Sequence, residues 1–398
     1  MKFRTTDVAI IGGGLAGATA AAMLGRAGVA AVLIDPHGEQ RPEFRCEKLD
    51  ESQLALLRLT GLADDVLPHT SNNRQVWVVR YGRLVDRKSG GPAGILYHDL
   101  VNAVRKNIPA SVPHISTKVA GITTETGRPL VTLATGETIS PKLAILATGL
   151  NPGLRDVLGI SREMISPCHS ISIGFDMKPA EGQSFAFPAL TLFPERPGQT
   201  MAYLSIFPVR GGMRANLFVY WGMNDVRLRK FRHQPKEALL DLIPTLSRFT
   251  GPFTIEGQVS IRPVDLVRVD APQRPGIVLV GDAYSTSCPA AGTGANKVLT
   301  DFQRLCSTYI PSWLDKEQIG AADAASFYAD PVKVQCEAES LQKALWLRQV
   351  STGTSFGWRC WRGARFVAQS GLGRLREIKR RMPIATHGKD PTDVLGRA

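Results

Sequence analysis

The clearest hydrophobic pattern in this chain lies near its start, where Val8-Ala9-Ile10-Ile11 runs without a polar interruption. A short apolar run of this kind predicts a parallel strand buried on both faces. Ala18, Ala20, Ala21, Ala22 and Leu24 then follow as a small-residue helix, and Gly28 stops it. Val32-Leu33-Ile34 makes a second buried strand, so the opening reads strand, helix, strand. From Arg45 to Gly61 the spacing of Leu49, Gln53, Leu56 and Leu57 predicts a helix with one apolar face, ended by Gly61. Arg74–Arg80 and Tyr81–Val85 predict a hairpin with Gly82 in its turn, and Ile95–Ile108 holds a short helix beginning near Tyr97. Lys118–Thr124 and Pro129–Leu133 predict a β-meander, after which Lys142–Gly149 returns as a buried strand.

The texture changes between Ser170 and Gly222, where aromatic and alternating segments such as SFAFPALTLF and RANLFVYWG are broken by Pro and Gly. This stretch predicts an antiparallel sheet with one face free to cover a ligand. Pro235–Phe249 reads as a helix and Thr254–Arg262 as a strand leading back to the first unit. Ile277–Val280 is another buried strand, followed by a glycine-rich turn and the helix Ala295–Cys306.

At 398 residues the chain is too long for one simple core, and two or three units are expected. It has no apolar segment long enough to span a bilayer. Six cysteines are scattered without a C-x-x-C pair, so nothing suggests a disulfide framework and they read as reduced thiols in a cytoplasmic protein. No cluster of His and acidic residues has metal-ligand spacing, so no metal is expected. The formal charge of +13 is uneven: Gly357–Met382 alone holds Arg359, Arg362, Arg365, Arg374, Arg376, Lys379, Arg380 and Arg381 against Glu377. With the charge confined to that segment and no recognition motif present, nucleic acid is not expected as a partner. Trp358, Trp361 and Phe366 interleave with those cations, as in interfacial helices. The segment is expected either to reach an inner membrane surface or to form a helical lid on the first unit with a solvated basic face.

Two stretches carry chemistry. Gly12, Gly14 and Gly17, with Leu15 and Ala16 between them, form G-x-G-x-x-G between the first strand and its helix. The first glycine allows the tight turn, the second a close approach of pyrophosphate, and the third close helix–strand packing. Asp35 ends the second strand eighteen positions after Gly17, where a carboxylate can accept both hydroxyls of an adenosine ribose. The second stretch, Gly281-Asp282 followed by Pro289, Gly292, Gly294, Ala295 and Asn296, again feeds a strand into a helix N-terminus, an anion-binding geometry.

Together these stretches resemble the para-hydroxybenzoate hydroxylase family of single-component (group A) FAD monooxygenases, over roughly residues 1 to 305. Gly12 through Asp35 matches the family's FAD fingerprint, and Arg45 falls where an arginine contacts FAD. Gly281-Asp282-Ala283 matches the second FAD motif, whose aspartate binds the ribityl chain. Pro289 through Asn296 matches the loop beside the isoalloxazine ring. The resemblance implies an α/β fold: a Rossmann-like (GR2-type) FAD domain with an inserted antiparallel β-sheet substrate domain and a C-terminal helical region. The expected divisions are 1–73, 96–165 and 261–330 for the FAD domain, 74–95 and 166–260 for the substrate domain, and 331–398 for the basic helical segment.

The implied activity uses NAD(P)H and O2 to hydroxylate or epoxidise an aromatic or apolar small molecule. A geranylgeranyl reductase-like saturase shares the scaffold. A flavin-dependent halogenase ranks last, because its W-x-W-x-I-P signature is absent. The chain departs from the family at Ala147-Thr148-Gly149, which stands in place of a central Asp-Gly, while Arg155 is kept. Tyr97 stands where another arginine often precedes a helix. No acid–base residue is singled out: His69, His98, His114, His169 and His233 are dispersed, and Tyr203, Tyr220 and Cys288 read first as packing. Lys297, a cation in a first helical turn, is expected to point to solvent.

Overall fold

The computed structural model describes residues 3–71, 75–90, 93–124, 127–196 and 198–381. Arg74 of the expected hairpin and the segment from Met382 onward lie outside them. In chain order the strands are Phe3–Ile11 (β1), Ala31–Ile34 (β2), Cys46–Leu49 (β3), Gln75–Arg80 (β4), Arg83–Ser89 (β5), Ala93–Leu96 (β6), His114–Ile115 (β7) and Val119–Thr123 (β8). They continue with Leu130–Leu133 (β9), Thr138–Leu146 (β10), Arg162–Pro179 (β11), Ala189–Leu192 (β12), Met201–Val209 (β13), Gly212–Val219 (β14), Phe253–Val269 (β15) and Ile277–Leu279 (β16). Six helices matter below: Leu15–Arg26 (α1), Glu51–Leu59 (α2), Tyr97–Lys106 (α3), Gly294–Arg304 (α4), Pro331–Thr352 (α5) and Phe356–Arg381 (α6).

The first sheet has the order β7-β2-β1-β10-β9-β8, with β16 also paired to β10. β1 lies parallel to β2 and β10, and Val8–Ile11 is enclosed because both sheet faces are covered. Ala20, Ala21 and Leu24 of α1 pack on one face with Val8 and Ile10. On the other, Ala9 and Ile11 meet Ile122, Val131 and Leu133 of the meander. Alanines along α1 let the helix axis come close to the strands, which brings its first turn over the end of β1.

The second sheet, β15-β11-β14-β13-β12-β4-β5, stands over the first unit. Its residues alternate: Leu217 and Val219 face helices Val226–His233 and Pro235–Leu242, while Phe218 and Tyr220 face the loop before α4. One pairing departs from the antiparallel expectation, since β12 and β4 run parallel with Leu190 opposite Trp77. β11 and β15 also extend beyond the expected limits, pairing through several register shifts.

Two expected helices are redrawn. Leu49 belongs to β3, which pairs with β6, and not to the helix that follows. Asp50 caps α2 by accepting from the Ser52 and Gln53 amides, and the Gln53 side chain accepts from the Asp50 amide. This capping box fixes the helix start one residue after Asp50. Pro235–Phe249 divides into Pro235–Leu242 and Ser247–Thr250, because Pro244 cannot supply the amide that would carry the helix on.

The basic segment forms α6, a continuous helix across Gly357, Gly363, Gly371 and Gly373. It docks on the β4–β5 hairpin and is not a lid on the FAD domain. Phe366 meets Tyr81 edge to face, and Arg376 pairs with Asp86. Gly373 lies so close to β5 that an added Cβ would sit 1.9 Å from the Val85 carbonyl oxygen. Among the described residues no helix is long and apolar enough to cross a membrane.

Candidate functional site

The glycine spacing is demanded by packing. At Gly12, φ is +102° and a Cβ would meet the Ala147 carbonyl oxygen at 2.5 Å; at Gly17 a Cβ would lie 1.8 Å from the Gly12 carbonyl oxygen. Neither N-cap residue, Gly14 of α1 or Thr293 of α4, caps its helix with a side chain. Both helix starts open onto one cleft lined by Gly14, Leu15, Ala16, Arg45, Gly149, Gly281, Asp282, Gly294 and Ala295. Two helix N-termini converging on one cleft suit an anionic ligand.

The other expected site residues border this cleft or brace it. Asp35 accepts from the Gly13 amide at 2.7 Å and the His37 amide at 2.9 Å. Gln53 donates to the Gly292 carbonyl at 3.0 Å and to Asn296 Oδ1 at 2.9 Å, and Asn296 donates to Ser52. Asn296 thus straps α4 and its loop to α2. Pro289 opens a single helical turn ending at Gly292, where φ is +64°.

Arg45 extends over the Tyr97 ring, with Cζ 4.1 Å from its centroid. Its side chain is 45% exposed, yet protein surrounds it on most sides, as expected for a group on the floor of a concave cleft. Burial alone would lower its pKa, but Tyr97, Glu47, Asp282 and Glu43 together outweigh it and raise the pKa above its ordinary value. Burial raises the Glu47 carboxyl, with Arg45 opposing. The Tyr97 hydroxyl accepts from the Leu15 amide at 3.2 Å. Where the family keeps an arginine, this chain therefore has a neutral acceptor for the α1 N-terminus and a surface for Arg45.

Three groups were invisible in the sequence. Arg105, in the last turn of α3, ion-pairs with Asp35 at 3.3 Å and donates to the Gly13 carbonyl at 2.7 Å. A cation at a helix end is commonplace, so nothing marked it. Lys48 of β3 donates to Ser205 Oγ at 2.8 Å, with its ammonium 5.6 Å from the Tyr203 ring centroid and 5.4 Å from that of Phe207. Burial pulls its pKa down to about 8, with Cys46 and Asp50 opposing. No carboxylate lies within ion-pair distance of it among the described residues. Glu337 of α5 is the third, and it corrects the expectation for Lys297. That lysine is buried, 2.8 Å from Glu337, and donates to the carbonyl and hydroxyl of Ser285. The half-buried Glu337 carboxylate offsets the unfavourable helix dipole at Lys297.

Tyr203, Phe218, Tyr220, Cys288, Ala290 and Ala291 form one apolar cluster between the second sheet and the loop before α4. His169 is fully buried, bonded to Ser166, and held below its ordinary pKa first by burial and then by Arg348.

A family profile described as "FAD binding domain" matches residues 5–311. The match covers more than half of the chain, and the protein belongs to this family as a FAD-dependent oxidoreductase. The 3-demethoxyubiquinol 3-hydroxylase of Escherichia coli (strain K12) is 24% identical over 333 residues, spanning 78% of this chain and 81% of that protein. The p-nitrophenol 4-monooxygenase of Pseudomonas putida DLL-E4 superposes with a TM-score of 0.74 at 16% identity, over 95% of this chain and 97% of that one. A flavin-dependent brominase superposes with a TM-score of 0.67 at 16% identity, over 95% of this chain and all of that one (100%). At these identities the two structures speak for the fold alone. The cleft's donor set fits FAD: two helix starts whose N-cap residues supply no side-chain cap, with Arg45 and Asp282 beside them.

Proposed function

We propose that this protein is a FAD monooxygenase that uses NAD(P)H and O2 to insert one oxygen atom into an aromatic or otherwise apolar small molecule. Per turnover, substrate, O2, NAD(P)H and a proton would give hydroxylated or epoxidised product, NAD(P)+ and water. The observation that carries the reading is the convergence of both glycine-rich helix starts on a cleft, with an aromatic sheet face packed over the second loop. When bound, the flavin supplies the redox chemistry. In this reading Gly12, Gly14 and Gly17 with the α1 amides hold the pyrophosphate, Asp35 the adenosine ribose, and Asp282 the ribityl side, while Arg45 balances their charge. The α4 N-terminus favours negative charge at the ring. Tyr203, Phe218 and Tyr220 exclude water from the substrate side.

Thr148 stands where the family carries a carboxylate, so reduction by NAD(P)H is expected to be slow or to need a partner reductase. Stopped-flow reduction by NAD(P)H alone, as fast as turnover, would exclude the partner. The deciding experiment for the activity is substrate-stimulated NAD(P)H oxidation with equal O2 uptake. NAD(P)H consumption without O2 uptake would indicate a saturase, and a halide requirement a halogenase.

A further inference from the structure

α6 has two faces of opposite use. Phe366, Gly373 and Arg376 face the hairpin, while Phe356, Val367, Leu372, Leu375 and Ile378 face solvent at 52–79% exposure. With about 3.6 residues per turn, Phe356, Val367, Leu375 and Ile378 share one side of the helix, interspersed there with Gly357, Cys360, Ala364, Gly371 and Arg374. The stripe is about 33 Å long at 1.5 Å per residue. Exposed Arg374 lies within it and exposed Arg359 to one side, and the helix carries eight Lys or Arg against Glu377 alone. Large apolar residues gathered on one exposed helix face, and not scattered singly, mark an interaction surface.

We propose that this face of α6 seats the enzyme on an anionic lipid bilayer, with the stripe among acyl chains and the cations among headgroups. Charge decides the occupant. Two copies pairing through α6 would bring two strongly cationic helices together, which repel, and a polyanion such as nucleic acid would leave the apolar stripe in water. An anionic bilayer satisfies both features at once. The same helix borders a pocket of about 80 Å³ through Trp361, Arg362 and Arg365, whose wall also includes Ala202 and Leu347. Ala202 and Leu347 join the cluster around Cys288 and Ala290.

The test is co-sedimentation of the full-length, FAD-loaded protein with vesicles of phosphatidylcholine alone or mixed with phosphatidylglycerol. Binding is expected to the mixed vesicles at low salt, about tenfold or more weaker to phosphatidylcholine alone, and weakened by added salt. Leu375→Asp with Ile378→Asp should lower binding about tenfold or more, while Val226→Asp, at another exposed apolar position, should not. FAD absorbance and circular dichroism verify that the variants remain folded. Protein remaining in the supernatant at low salt overturns the proposal, as does binding indifferent to the α6 substitutions. A concentration-dependent dimer dissolved by Val367→Asp would assign the face to a second copy and overturn it too. None of these outcomes bears on oxygenase activity toward a dispersed substrate, so the two readings fail separately.

Discussion

The Tyr203 hydroxyl donates to the Ala290 carbonyl at 2.7 Å, tying the middle of the aromatic sheet to the loop that leads into α4. The ring also meets Phe218 at 5.1 Å between centroids, so Tyr203→Phe removes one hydrogen bond and little packing. It leaves a buried carbonyl without its donor, which costs about 1–3 kcal/mol. Chemical denaturation should register that loss. Burial, with Cys288 adding to it, raises the Tyr203 pKa well above its ordinary value, so Tyr203 stays protonated. The pH–rate profile of Tyr203→Phe should therefore keep every inflection of the parent, and a missing one would assign Tyr203 an acid–base role instead.

The acids of the two glycine-rich stretches differ in their protein partners, and their variants should differ accordingly. Asp35 accepts two backbone amides and pairs with Arg105, whereas no protein hydrogen bond to the Asp282 carboxylate is seen among the described residues. Asp282→Asn should weaken FAD binding by about 1.5–3 kcal/mol, the loss of a charged hydrogen bond, and leave apoprotein stability unchanged. Asp35→Asn should lower both. Calorimetric titration with FAD and thermal melts of the apoproteins separate the cases. Full FAD retention in both variants would remove these residues from the cofactor assignment.

What the sequence disclosed follows from where each constraint is local. Gly12 and Gly17 stand against backbone only a few residues away or on the adjacent strand, so their spacing is a direct imprint of geometry. Leu49 misled because its spacing to Gln53 also satisfies a helix, although Asp50 and Gln53 already spelled out the capping box that begins α2. Lys48, Arg105 and Lys297 were beyond reach for another reason. Each is defined by a partner on a distant element (Ser205, Asp35 and Glu337), and a lone cation in sequence looks the same whether buried or solvated. The exposed side of α6 was only partly legible: its cations were plain, but which face the hairpin would cover was not.

Lys48 makes a pH-dependent prediction. Its pKa falls from an ordinary 10.5 to about 8 on folding, so the unfolded chain binds the extra proton between those values. Apoprotein stability should rise with pH across that window, and the penalty is fully present below about pH 8. Lys48→Met should then stabilise the apoprotein at pH 7 by about 1–2 kcal/mol, less than the full shift implies because the residue as a whole is only half-buried. The difference should vanish above pH 10.5. A parent and variant of equal stability at pH 7 would mean that the amine is solvated or paired in solution.

The charges behind the second glycine-rich stretch should behave as one unit. Lys333 lies 2.7 Å from Asp301, with the two side chains 1% and 3% exposed, and Glu337 reaches from Lys333 to Lys297. Burial raises the Asp301 carboxyl, and Lys333 holds it back. Lys333→Met would leave that carboxylate without its nearest cation at a cost of about 3–5 kcal/mol, and Asp301 would take up a proton in the folded state. Because the folded protein would then bind a proton that the unfolded chain releases, the variant's stability should fall as pH rises from about 5 toward its raised carboxyl pKa. Adding Asp301→Leu removes the stranded acid and should recover most of the loss, with the pH slope gone. Denaturant midpoints from pH 5 to 8 for the parent, the single variant and the double variant test this. A flat profile in Lys333→Met, or no recovery in the double variant, would mean that α5 is held to α4 by packing and not by these charges.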